Sequence, residues 1–209
     1  TAVAVLIVRN KEQVRWLSLA GSLLQLLLSV LLLIAYRNEN AVGQMVFQQN
    51  YSLFPAWHIN FHLGVDGISV AMILLTAFVV VGGVLVSWNI EKMTKEFYFL
   101  LILLSLGAYG FFISLDLFVL FFFLEIAVIP KYLLIGIWGS GNRQASANKL
   151  ALMLMGGSAL VLVGILGAYF NSPDRTFEIT LLSQIHFSAA TQRIFFPFLF
   201  VGFGIFTAL

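Results

Sequence analysis

Glu125 and Lys131 are the residues whose type and place could do chemistry. Both fall well inside one long apolar run, Leu117–Trp138. Glu125 lies about nine residues from the start of that run, hence about 14 Å deep at 1.5 Å per residue. That is near the middle of a hydrocarbon core about 30 Å thick. A charged group there costs at least about 2.5–3.5 kcal/mol by insertion scales. A glutamate cannot reach the headgroups from that depth, so it must face the interior of a helix bundle. Burial disfavours its charge and a nearby cation restores it. Such an acid can hold or release a proton as a neighbouring charge changes, which is what a proton relay needs. The alternative is a neutral, hydrogen-bonded structural glutamate.

Lys131 follows Pro130. The proline removes a helix hydrogen bond and predicts a kink. Six residues separate Glu125 from Lys131, about 9 Å along the axis and about 240° around it, so a straight helix cannot pair them. Lys131 either snorkels to the nearer membrane face or belongs to a buried charge pathway. Lys149 stands just before the next apolar run, as an anchor at the membrane face or as a group facing the point of proton uptake. Asp66 and Asp116 precede apolar runs, where carboxylates suit helix N-termini. His58 and His62 have the spacing of a metal pair but no evident third ligand, and His186 is a lone loop histidine. No metal site is expected. The sequence has no Gly-rich phosphate loop, no Gly-x-Ser-x-Gly and no cysteine. A nucleotide site, a serine hydrolase, a disulfide or a thiolate-held cluster is therefore not expected in this chain.

The elements that must position these residues follow from composition. The chain has 209 residues, 61% hydrophobic and 10% charged, with formal net charge +2 and mean hydropathy +1.00. Soluble domains are about 45–50% apolar and about 25% charged. A water-soluble globule is excluded, and nothing resembles a nucleic-acid-binding patch. Five full spans are predicted, over Trp16–Tyr36, Ile68–Trp88, Phe97–Leu115, Leu117–Trp138 and Leu150–Phe170, with partial runs at Thr1–Val8 and Ile194–Leu209. The expected architecture is an all-α multi-helix transmembrane bundle of about seven helices, forming a single domain over residues 1–209. Both ends look cut, so a longer membrane protein is expected.

Arg9, Lys11, Arg15, Lys92, Lys95, Arg143 and Lys149 fall in one set of alternate loops, while the other set holds Arg37, Arg175 and Arg193. The positive-inside rule puts the first set in the cytoplasm and the loops 37–67 and 171–193 outside. Within the first outer loop, Trp57–Asp66 alternates apolar and polar residues, the pattern of a strand. In the second, Ile179–His186 is a candidate short helix. Glycines at 82, 83, 107, 110, 156, 157, 164 and 167 suggest close helix packing.

Phe61–Ser69 (FHLGVDGIS) and Lys95–Gly139, with its Phe-rich run, acidic residue, Ile-Pro and LLIGIWG, resemble the M-type (subunit 4) antiporter-like membrane subunits of respiratory complex I, the proton-pumping NADH:quinone oxidoreductase. The resemblance implies about fourteen helices in two inverted repeats, of which this chain holds about the N-terminal half. It implies that Glu125 is the family's key membrane glutamate, partnered by a lysine on the seventh helix, and that proton movement is coupled electrostatically to quinone reduction elsewhere. NADH, FMN, iron–sulfur clusters and quinone are then expected in other subunits, with none in this chain. The expected partners are other membrane-arm subunits, including neighbouring antiporter-like ones, and the lipid bilayer, with no nucleic acid. The expected location is the bacterial inner membrane or an equivalent energy-transducing membrane. Related antiporter and membrane-bound hydrogenase subunits, or a non-pumping scaffold, are the alternatives.

This sequence departs from the family's pattern. Leu124 replaces a usual tryptophan, Phe206 stands where the partner lysine falls, and Lys131 replaces an apolar residue. Glu125, Lys131 and Lys149 are the expected proton relay, with Lys131 a candidate for the displaced charge.

Overall fold

The computed structural model describes residues 2–8, 10–39 and 45–207. Arg9 and the extreme ends of the first and last apolar runs, Thr1, Ala208 and Leu209, lie outside the described residues. Apolar residues at helical length, with few polar interruptions, give six helices long and apolar enough to cross a membrane. These are α2 (Lys11–Asn38), α3 (Gly67–Val86), α4 (Thr94–Ile113), α5 (Leu117–Trp138), α6 (Arg143–Asn171) and α8 (Ala189–Thr207). The partial run at the start forms the short α1 (Ala2–Ile7), and α7 is a single turn, Ile179–Leu182. The seven predicted membrane segments thus correspond to α1–α6 and α8, and α7 falls in the short helix expected within the second outer loop.

Several boundaries move from the hydropathy expectation. α6 begins at Arg143, so Lys149 sits in its second turn rather than at its opening. α8 begins at Ala189, ahead of the apolar run, because Gln192 and Arg193 are good helix formers although not apolar. α5 continues as one helix through Pro130.

At one end of the bundle, β1 (Val46–Phe54) and β2 (Ile59–Val65) form an antiparallel hairpin with two register irregularities. The alternating segment is β2, as expected, but both of its faces are covered in part. Ile59 and Val65 are buried on one, His62 and Gly64 on the other. The polar face is covered because β2 bridges to Ser114 through Leu63, and the α4–α5 turn bridges in turn to Glu178 through Asp116. Leu115 N donates to His62 O at 2.8 Å, Leu117 N to Phe177 O at 2.9 Å and Ile179 N to Leu115 O at 2.8 Å. This seam fastens the hairpin over the first turn of α5.

The opposite end is tied by cations and tryptophan. Arg15 Nη2 donates to Ile90 O at 3.2 Å, Trp138 Nε1 to Lys92 O at 2.7 Å and Arg143 Nη1 to Ile137 O at 2.9 Å. Trp16 and Trp88 meet edge to face at 5.3 Å. This is called the basic end below.

Small residues set how closely the helices approach. A side chain at Gly107 on α4 would meet Ala127 Cβ at 2.9 Å and Phe123 O at 3.0 Å on α5. At Gly202 on α8 it would meet Val161 N at 2.8 Å and Gly157 O at 2.9 Å on α6. The expected packing role holds at Gly107, Gly110, Gly157, Gly164 and Gly167, while nothing lies within 4 Å of Gly82 or Gly156. Since backbone atoms cannot swing away, Gly107→Val is expected to cost about 1–3 kcal/mol through overpacking. The check is the thermal unfolding midpoint in detergent, which should fall relative to Gly82→Val.

Candidate functional site

Asp116 starts α5. Its Oδ1 accepts from Phe118 N at 2.8 Å and Val119 N at 3.1 Å, and its Oδ2 from Asn60 N at 3.1 Å. It is an N-cap, as expected, and is completely buried. Asp66 likewise caps α3, accepting from Ser69 N at 2.7 Å. Burial pushes the Asp116 carboxyl above its ordinary value of 3.8, the three backbone N–H groups pull it down, and the Glu178 charge adds a smaller upward push. An acid raised by folding contributes stability that is full below its unfolded value and is lost as pH rises through the folded one. The wild type is therefore expected to gain melting temperature over Asp116→Asn as pH falls across that window.

Glu178 also faces β2. Its Oε1 accepts from Thr180 Oγ1 at 2.9 Å and lies 3.0 Å from Nδ1 of His62, which is 5% exposed. The contact is close but not aligned as a hydrogen bond. His58 Nδ1 instead shares a hydrogen bond with Arg175 O at 3.2 Å, so the two histidines face different partners. The His62–Glu178 approach is invisible in the sequence because the residues stand far apart and neither lies in an apolar run.

From this anchored end α5 carries Glu125 into the bundle. Glu125 is half-buried, and its Oε1 is buried without a hydrogen-bond partner among the described residues. The same helix then presents Lys131, also half-buried, to a cavity of about 230 Å³ between α4, α5 and α8. Leu124, Ala127, Phe203, Phe206 and Thr207 share that cavity. Thus the lysine and the phenylalanine singled out in the sequence line one space. No ion pair joins Lys131 to Glu125 among the described residues, as the six-residue separation leads one to expect.

Lys149 is not brought to this site. It is exposed on α6, next to Asn148, whose Oδ1 accepts from Tyr132 Oη at 3.1 Å. The geometry therefore groups Glu125 and Lys131 on one helix, with Lys131 across a cavity from Phe206, and leaves Lys149 apart. Among the described residues no three His, Cys, Asp or Glu side chains converge as metal ligands do. What the arrangement can do is hold a proton on a mid-membrane carboxyl and bias it with an amine in an apolar cavity.

Comparison with known proteins follows this geometry. The family described as "NADH:quinone oxidoreductase/Mrp antiporter, TM" matches residues 114–209, which cover α5, α6 and α8. The chain is 30% identical over 199 residues to a chloroplastic NAD(P)H-quinone oxidoreductase chain 4 of Jasminum nudiflorum, covering 94% of this chain and 39% of that protein. It is similar in fold to a chain of respiratory complex I from Thermus thermophilus with bound NADH, with TM-score 0.78 and 24% identity, over 98% of this chain and 40% of that one. It is also similar to a chain of the Mrp complex from a Dietzia species, with TM-score 0.77 and 18% identity, over 97% of this chain and 37% of that one. The chain thus spans about two-fifths of the length of the relatives it matches.

Proposed function

We propose that this integral membrane chain, whose residues 114–209 match the family described as NADH:quinone oxidoreductase/Mrp antiporter, TM, is part of a proton-translocating membrane-arm subunit of an NADH:quinone oxidoreductase. Glu125 holds the proton and Lys131 supplies the positive charge that sets whether it is held. The observation that carries this reading is the buried, unpartnered Oε1 of Glu125 at mid-span. An acid in that position is costly, and intramembrane acids mark proton and ion paths.

The charge exchange is electrostatic. With the Lys131 amine protonated, its field favours the Glu125 carboxylate, and the proton leaves. When another charge draws on that field, the carboxyl takes a proton back. The apolar lining of the Lys131 cavity lets this field reach farther than it would in water. Lys149, at the basic end, acts as the collecting charge at the cytoplasmic face. Quinone reduction, with NADH, FMN and iron–sulfur chemistry, takes place in partner subunits, and neighbouring antiporter-like subunits pass on the coupling. The location is the bacterial inner membrane or its equivalent.

A cation/proton antiporter uses the same geometry. The sequence identity is higher to a quinone oxidoreductase chain, 30% against 18% to the Mrp chain, which favours the first reading. Inverted membrane vesicles that contain the whole complex separate the two. NADH oxidation is expected to acidify their lumen in a quinone-dependent manner. Acidification driven instead by a sodium gradient without NADH would overturn the quinone reading.

A further inference from the structure

Polar side chains recur along α2 at a spacing that the Glu125 site does not use. Arg15, Ser18, Ser22, Gln25 and Ser29 follow one another in three- and four-residue steps. At about 100° per residue they fall within an arc of about 80° and cover about 21 Å of helix axis. On α4, Tyr98, Ser105 and Tyr109 fall within about 40° by the same arithmetic. α3 returns between these two helices, since Arg15 reaches Ile90 at the basic end and Tyr36 lies against Gly67 at the hairpin end. α2 and α4 therefore run in the same direction. Their levels match: Val14 and Tyr98 share one buried cluster, and Gln25 and Tyr109 line one cavity.

The column is only partly satisfied: Ser22, Ser29, Tyr98 and Ser105 each donate to a backbone carbonyl, at Leu19, Leu26, Ser87 and Ile102. Arg15 Nε, Ser18 Oγ, Gln25 Oε1 and Tyr109 Oη are buried without a hydrogen-bond partner among the described residues. The other buried unpartnered atoms are His62 Nδ1 and Glu125 Oε1, so most of the unmet polar demand lies here. Ser18 is completely buried. The Gln25–Tyr109 cavity measures about 230 Å³ and is also lined by Ser29 and by the aliphatic Leu28, Leu32, Ile73 and Ile113. A water takes about 30 Å³ of liquid volume, so there is room for several. Beyond Tyr109 the column ends against Val65, Val70, Phe112 and Ile113. Unpaired polar atoms are costly where no solvent can reach them. A lipid chain in the cavity would satisfy none of the four.

We propose that the space between α2, α3 and α4 binds a file of internal water molecules. The file runs from Arg15 at the basic end to Gln25 and Tyr109 and is closed beyond them. It is separate from Glu125 and Lys131 and reaches about halfway into the membrane, at about 15 Å from Arg15 to Gln25.

These 209 residues hold no cysteine, so a thiol introduced on α2 can be followed by the mass of its own peptide, in the full protein in its native membrane. Ser18→Cys, Ser22→Cys and Ser29→Cys are compared with Leu23→Cys, Leu27→Cys and Leu31→Cys on the exposed face of α2. Silver ion is applied from the basic side, and thiols left free are alkylated after denaturation and counted by mass. Silver reacts with thiols through water but not through lipid. The column cysteines are expected to be protected at least tenfold faster than the leucine-site controls. Equal rates, or faster protection of the controls, would overturn the proposal. Where a variant fails to assemble, a high-resolution map of the unaltered protein decides. Ordered water within hydrogen-bond distance of Ser18 Oγ and Gln25 Oε1 supports the file, and dry contact at both atoms overturns it.

Discussion

Glu125→Gln is expected to lower proton translocation at least tenfold while leaving the assembled complex intact. The substitution keeps the volume and one acceptor oxygen but removes the proton that the site holds. Glu125 lies in a helix anchored at its first turn by Asp116 and held against α4 at Gly107, neither of which the change touches. A neutral amide in the same place is also easier to bury than a carboxylate, so stability should hold or rise slightly. Glu125→Asp tests the geometry separately. It keeps the acid but withdraws it by one methylene, and an intermediate rate is expected. The check is NADH-driven proton uptake by membrane vesicles, normalised to assembled complex. Unchanged flux in Glu125→Gln would favour a scaffold that carries no proton.

The second large effect concerns the charge that faces the cavity. Lys131→Met is expected to cut proton flux by about as much as Glu125→Gln, since it removes the amine and leaves a well-packed apolar helix. Lys131 and Phe206 line the same cavity from different helices. A lysine placed at Phe206 therefore projects its amine into the space that Lys131 has left. The double variant Lys131→Met with Phe206→Lys is expected to regain a substantial part of the flux. Phe206→Lys alone is expected to lose flux, because two like charges in one apolar cavity disfavour each other's ionisation. Recovery in the double variant separates an electrostatic role from a structural one, since a merely structural lysine would not be rescued from another helix. Flux in the double variant as low as in Lys131→Met would remove Lys131 from the relay.

How much of this was legible differs between elements. The long helices follow from continuous apolar runs, and α5 matches its expected span, Leu117–Trp138, at both ends. The caps at Asp66 and Asp116 were readable because a carboxylate just before an apolar run has few other uses. β1 was not readable. Its sequence, VFQQNYSLF, has no clean alternation, and it is almost wholly exposed, so pairing with β2 alone makes it a strand. The polar start of α6 was hidden because hydropathy reports burial in lipid rather than helix propensity, and Arg143–Lys149 has the second without the first.

The site was legible in its residues but not in its distances. Glu125 and Lys131 stand out as charges within an apolar run. Their separation on α5 was computable from helix geometry. That Lys131 shares a cavity with Phe206 depends on how α8 packs against α6 at Gly157 and Gly202. No local pattern encodes that. The α2 stripe is the opposite case. Its spacing was fully visible in the sequence, but serines and a glutamine in an apolar run draw less notice than a charge. Only the unpartnered atoms mark it.

The most direct test of the central claim is to observe the Glu125 proton itself. Infrared difference spectra of the whole complex in membranes, recorded between the resting and turning-over states, would show the protonated-carboxyl stretch. A band that changes during turnover, is absent in Glu125→Gln and shifts in Lys131→Met is the predicted result. A carboxyl signal identical in the wild type and Glu125→Gln would contradict the account.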